Sequence, residues 1–134
     1  QADLFAAMHV RCAVFMIEQN CPPDIELDEM DADAIHVIAH QDRQTVGVCR
    51  ILFPENEPYA IIGRVAVMKE YRHRHIASDL VEFAEQIIRE KGYNKAVLHA
   101  QIAVKELYEK AGYVSEGEHF MEAGIEHVMM TREL

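Results

Sequence analysis

The sequence predicts an α/β (α+β) domain in which a mixed, mostly antiparallel sheet is flanked by helices, and three observations carry that prediction. Residues 61–67 are short and rich in β-branched side chains, as a buried strand is. After a basic turn, Ile76, Leu80, Val81, Ala84, Ile87 and Ile88 recur at the spacing of one face of an amphipathic helix. The remaining apolar runs fall into short strands on either side, so the order becomes helix, three strands, helix, strand, helix, two strands.

Each element has its own local reason. Leu4, Phe5, Met8, Cys12, Phe15 and Met16 form a helical stripe suited to core packing, and Asn20, Cys21, Pro22 and Pro23 break it. Residues 24–33 are acidic, with Glu26, Asp28, Glu29, Asp31 and Asp33. They read as a solvated loop or as carboxylates lining a site for a cationic amine. Residues 35–40 and 45–53 form a hairpin across the turn Gln41-Asp42-Arg43-Gln44, and residues 54–58 lead into the central strand. Lys91-Gly92 stops the long helix, and a strand follows over 95–99. A second helix is expected over 102–111, with Ala103, Leu107 and Ala111 facing the core and Gly112 ending it. Residues 113–120 and 125–131 make a last pair of strands around Glu122-Ala123-Gly124.

Length and charge narrow the function. A chain of 134 residues, half of them hydrophobic, is expected to form one domain over 1–134. It begins at Gln1 rather than Met, which leaves room for a missing first strand. A net charge of -10 argues against general nucleic-acid binding. Cys12, Cys21 and Cys49 are odd in number and form no Cys-x-x-Cys pair, which suits a reducing cytoplasm. No run is long enough to span a membrane.

The basic turn stands out against that acidic background. A helix start presents free N–H groups and a partial positive charge, so Arg72, Arg74, His73 and His75 crowd an unfavourable place unless an anion binds. A phosphate-bearing ligand is one explanation, and a solvated basic turn is the other. Gly-x-x-x-x-Gly-Lys and Gly-x-Gly-x-x-Gly are both absent, which disfavours a nucleotide triphosphatase or a nicotinamide dehydrogenase. His73 and His75 are two apart and share no helix face, so no metal site is expected.

The strand, the turn Arg72-x-x-His75-x-Ala77 and the helix together resemble the acyl-CoA-binding core of the GCN5-related N-acetyltransferase (GNAT) family, whose pattern is Arg or Gln-x-x-Gly-x-Gly or Ala. The likeness extends over nearly the whole chain. It includes 11–15, Glu18-Gln19, His36, His99-Ala100-Gln101, 107–113 and Gly124-Ile125-Glu126-His127, segments similar to small bacterial acetyltransferases of ill-defined substrate.

This resemblance implies a GNAT-like acyl-CoA N-acyltransferase fold with acetyl-CoA (coenzyme A) as co-substrate and no metal. Val65, Ala66 and Val67 would contact the pantetheine arm. Arg72, His73, Arg74, His75, Ile76, Ala77 and Ser78 would hold the pyrophosphate. His75 stands where the family has Gly, a departure that bears on cofactor affinity rather than on fold. Tyr108 occupies the position of the phenol that assists the leaving thiolate, its alternative being a core aromatic beside Leu107. His127 occupies the position of a base, its alternative being a hydrogen-bonded histidine on a strand face. His36 and His99 are weaker candidates.

The implied reaction is direct acetyl transfer to a small-molecule amine in a ternary complex, the amine deprotonated by His127 or by a carboxylate through water and a backbone N–H of 65–67 polarising the carbonyl. Arg11 and the acidic loop point in opposite directions about acceptor charge. An acyl-CoA-sensing module without turnover, and an enzyme that uses a longer acyl chain or transfers to a non-amine acceptor, stay open as rival classes. So does a homodimer.

Overall fold

A computed structural model describes residues 2–11, 14 and 34–134. Helix α1 spans Ala2–Arg11. Ala7, Val10, Arg11 and Val14 are buried, at the three- and four-residue spacing of a single helix face. The expected stripe included Met8, which is only half-buried. Ala7 and Val10 lie against Val48 and Ala66 of the sheet. Cys12, Phe15, Met16, Cys21, Glu18-Gln19 and the acidic segment 24–33 lie outside the described residues.

The sheet is six-stranded: β1 (Ile35–Gln41), β2 (Gln44–Leu52), β3 (Ala60–Val67), β4 (Lys95–Gln101), β5 (Val114–Glu122) and β6 (Ile125–Glu133), in the order β1-β2-β3-β4-β6-β5. Among the described strands only β3 and β4 run parallel, and the other neighbours are antiparallel. A parallel pair needs a crossover, which α2 (Ile76–Glu90) supplies. Tight hairpins join β1 to β2 and β5 to β6: Asp42 and Arg43, then Ala123 and Gly124, all have positive φ, matching the turn twist that antiparallel strands favour.

Alternation along the strands divides the core between two faces. Cys49 packs with Ile51, Ile62, Leu80, Val81 and Ile88 beneath α2, while its neighbour Val48 turns to α1. Gly47 lies under the start of α2, where a Cβ would sit 3.0 Å from Ile76 Cγ2 and 3.1 Å from Leu80 Cδ1. Glu85, buried on α2, accepts a hydrogen bond from Tyr113 Oη at 2.7 Å and one from Arg132 Nη1 at 2.8 Å, tying the helix to the far end of the sheet.

The second predicted helix differs from expectation. Ile102–Val104 form a 3₁₀ turn, and only Lys105–Lys110 continue as an α-helix, α3. A 3₁₀ turn has three residues per turn, so it shifts the phase of the faces that follow. Ala103 is consequently exposed and Leu107 and Ala111 are half-buried, while Tyr108 is the buried residue of α3.

Candidate active site

The site arises where the sheet opens. Pairing of β3 with β4 covers Ala60↔Ala96, Ile61↔Val97 and Ile62↔Leu98, then stops, although β3 runs on to Val67 and β4 to Gln101. A bulge drives the parting: the β2–β3 register shifts between Val48 and Arg50, opposite Arg64, whose φ is 51°. An extra residue in one strand bends it and increases its twist. The carboxyl ends of two neighbouring parallel strands therefore diverge, a place where open sheets commonly bind ligands.

The result is a cleft of about 920 Å³. Val65, Ala66 and Val67 line it from β3, on the stretch beyond the last β4 pair. Past that stretch, Lys69–Tyr71 form a 3₁₀ turn, and the chain enters α2 through His73 (φ 64°) and His75 (φ 62°), both left-handed. His75 is the residue preceding α2 and makes no side-chain capping bond. The first helical bond closes from Asp79 N–H to His75 O at 3.0 Å, so the amides of Ile76, Ala77 and Ser78 precede the ladder. Arg72 Nε donates to Val67 O at 3.0 Å and fastens the turn to the end of β3. Arg72, His73, His75, Ile76, Ala77 and Ser78 all line the cleft. Arg74 does not: its guanidinium lies 5.2 Å from the centre of the Tyr71 ring.

Tyr108 reaches the cleft from α3 and is 7 % exposed. Its ring meets Tyr113 edge-on at 6.2 Å, and Tyr113 N–H donates to Tyr108 O at 2.9 Å. Burial, with a smaller contribution from Cys49, pushes the phenol well above its ordinary value. The group is thus held in its protonated, hydrogen-bond-donating form. Burial likewise pushes the Cys49 thiol up to about 12, which removes it as a nucleophile.

His127 enters from β6, directly across from Gln101 on one side and Phe120 on the other. Its Nδ1 lies 2.7 Å from Ile125 O. A carbonyl only accepts, so Nδ1 carries the proton and Nε2 holds the lone pair of the neutral ring. That Nε2 lies 3.7 Å from Glu122 Oε2, while Glu122 Oε1 lies 3.3 Å from His99 Nδ1. Phe120 stacks on His127 and meets His99 edge-on. The hydrogen bond from His99 holds Glu122 below the usual carboxylate range against its partial burial, helped by the charges of His99, His127 and Arg64.

Glu122 and Arg64 are features that motif reading missed. Counting across the Ala123-Gly124 turn would have found Glu122, because strand alternation puts it on the same face as Phe120 and hence beside His127. Arg64 had no comparable signal, since a bulge is not visible as a pattern. His36, on β1, is not among the cleft's lining residues, whereas His99 is. Among the described residues no group of three or more His, Cys, Asp or Glu side chains could hold a metal ion. No described helix is long and apolar enough to cross a membrane.

A six-stranded sheet opened between its parallel strands, with a helix start at the mouth, is the architecture of acyl-CoA N-acyltransferases. The structure of one such protein from Pseudomonas aeruginosa is 32% identical, covers 96% of this chain and 89% of its own, and superposes with a TM-score of 0.84. Residues 9–134 match the acetyltransferase (GNAT) domain family, and the chain belongs to that family. ElaA of Escherichia coli (strain K12) is 33% identical over 137 residues, spanning 99% of this chain and 89% of that protein. The crystal structure of E. coli ElaA gives a TM-score of 0.85 at 30% identity, over 97% of this chain and 90% of that one. A Bacillus anthracis str. Ames acetyltransferase crystallised with acetyl coenzyme A is 25% identical over 75% of this chain and 62% of its own, with a TM-score of 0.66.

Proposed function

We propose that this protein transfers an acetyl group from acetyl-CoA to the amine of a small molecule, by direct attack within a ternary complex. The observation that carries the proposal is that Val65–Val67, the start of α2, Tyr108 and His127 line a single cleft. The β3 edge beyond Ile62, left without β4 pairing, suits an arm that carries amides of its own. The helix start, with no side-chain cap on its amides, suits a pyrophosphate. The Bacillus anthracis relative, crystallised with acetyl coenzyme A, supports the same choice.

Acetyl-CoA supplies an activated acyl thioester, and the roles of the chain's own groups follow. His127 Nε2, the unprotonated ring nitrogen, takes a proton from the amine. A backbone N–H of β3 past the bulge stabilises the carbonyl oxygen as its charge develops. The C–N bond forms, the C–S bond breaks, and its electron pair leaves on sulfur. Tyr108 meets that sulfur as a hydrogen-bond donor; with its phenol raised by burial, it shares its proton rather than surrendering it. Arg72 keeps the turn in register with β3 through its bond to Val67 O.

The test is release of free thiol from acetyl-CoA across a panel of amines, run beside Tyr108→Phe and His127→Ala. Loss of one donor or base lowers kcat roughly 10²- to 10³-fold. Full rates in both variants overturn the assignments. Coenzyme A binding with no turnover on any acceptor overturns the enzyme reading in favour of a sensing module, and preference for long-chain acyl-CoA overturns the acetyl specificity.

A further inference from the structure

The part of the cleft lined by β4, β5 and β6 holds more chemistry than acetyl transfer by Tyr108 and His127 requires. The two oxygens of the Glu122 carboxylate face two different imidazoles, Oε1 to His99 Nδ1 at 3.3 Å and Oε2 to His127 Nε2 at 3.7 Å. The second contact has no proton of its own when His127 is neutral. Nδ1 already carries the ring's hydrogen, donated to Ile125 O at 2.7 Å, so a lone pair on Nε2 looks at a carboxylate oxygen. With the ring neutral, two acceptors face each other across a gap wider than a hydrogen bond, and a donor between or beside them satisfies both. A positively charged donor satisfies them best, because the carboxylate is held ionised.

The location suits a ligand. Glu122 is 44% exposed while His127 is 8% exposed, so the carboxylate is open to an incoming ligand and the imidazole is the more enclosed of the two. Both line the cleft, as does His99. Phe120 braces both rings, stacked on one at 5.9 Å and edge-on to the other at 5.2 Å. The tight turn at Ala123-Gly124 keeps the ends of β5 and β6 in register, fixing Glu122 relative to His127.

We propose that Glu122 is the residue that seats the acceptor, as a protonated primary amine, against Nε2 of His127, and that His99 is the positioning residue that aims its carboxylate. This inference rests on the acetyl-transfer reading and names the acceptor class for it: alkylamines that are cationic when they bind. The ammonium donates one N–H to Glu122 and another to His127. His127 takes that second proton and frees the nitrogen lone pair for attack. Over the turnover the ammonium loses two protons, one of which ends on the departing sulfur and the other in solvent.

The experiment compares acceptors of matched skeleton and different charge. Steady-state rates at saturating acetyl-CoA are measured for the best primary alkylamine of the panel and for its analogue carrying two fluorines on the carbon next to the amine-bearing carbon, at a pH where the alkylamine is charged and the fluorinated amine is not. The wild-type protein is set beside Glu122→Gln, Glu122→Asp and His99→Gln. Loss of a charge-assisted contact raises KM for the alkylamine at least about tenfold in Glu122→Gln. The uncharged analogue changes by less than about threefold, as expected of contacts without charge. KM for acetyl-CoA stays as in wild type, Glu122→Asp recovers part of the difference, and His99→Gln shows the same charge-selective rise, smaller in size. A purely structural carboxylate would move both amines together, so equal effects on the two, or none on either, overturn the proposal while leaving acetyl transfer standing. A wild-type protein that acetylates no amine overturns both.

Discussion

Replacing His75 by Gly isolates the one position where this chain departs from the pattern of its cofactor turn. His75 sits at φ 62° and ψ 18°, in the left-handed region, immediately before α2. For a residue with a Cβ that conformation costs roughly 1–2 kcal/mol, and glycine removes the cost. Glycine also has more conformational freedom to lose on folding, an opposing effect of about 0.4–1 kcal/mol. The side chain is exposed and makes no capping bond, so little else is lost. The net expectation is a gain of about 0.5–1 kcal/mol, or a rise in Tm of roughly 2–5 °C for a domain of this size. Urea unfolding of His75→Gly and His75→Ala measures it. Alanine removes the imidazole but keeps the strained backbone, so it gives no gain. Calorimetric titration with coenzyme A follows on the same samples, and binding tightens in the Gly variant if the imidazole only obstructs. A Gly variant less stable than wild type, or Ala and Gly variants equally stabilised, would refute the strain argument. Weaker binding of coenzyme A would mean that the ring touches phosphate.

Other outcomes follow from the packing. Gly47→Ala places a methyl 3.0 Å from Ile76 Cγ2 and 3.4 Å from Ala66 O, forcing the start of α2 outward. Thermal unfolding should show a loss of about 1–3 kcal/mol with weaker coenzyme A binding, and an unchanged variant would deny that close contact. Glu85→Ala leaves Arg132 and the Tyr113 hydroxyl without their shared carboxylate, and it should cost roughly 3 kcal/mol in denaturant unfolding. A loss below about 1 kcal/mol would mean that this network does not tie α2 to the sheet. For Glu122 the folded carboxyl is held below the ordinary value of 4.5, so its contribution to stability is present above that pH. It is lost as pH falls below 4.5 through the lowered folded value. The stability difference between wild type and Glu122→Gln should therefore close on acidification, and a difference that widens would reverse the sign.

Much of the architecture was legible because it depends on local periodicity. The spacing of Leu80, Val81, Ala84 and Ile88 yields the long helix, and the hairpin around Asp42 and Arg43 follows from strands flanking a polar turn. On α1 the described part of the expected stripe is Met8, which is half-buried, beside the fully buried Ala7 and Val10. The expected 102–111 helix is present as an α-helix only over Lys105–Lys110, because its first turn, Ile102–Val104, is 3₁₀, which residue propensity does not distinguish. At the site, Tyr108, His127 and the basic turn were named from motif likeness, whereas Glu122 read as an ordinary residue in a turn.

What the sequence determined by itself is the order of strands and helices, the acidic balance of the chain, and a basic helix start that family likeness turns into a cofactor turn. These are properties of neighbours in the chain, set by side-chain periodicity and by the free amides of any helix beginning. The tertiary structure decided the rest. Only packing shows that β3 leaves β4 after Ile62, that His75 must adopt a left-handed conformation, and that Glu122 stands between two histidines from different strands. Such features come from residues far apart in the chain meeting across a sheet, where register and twist, rather than local preference, fix the distances.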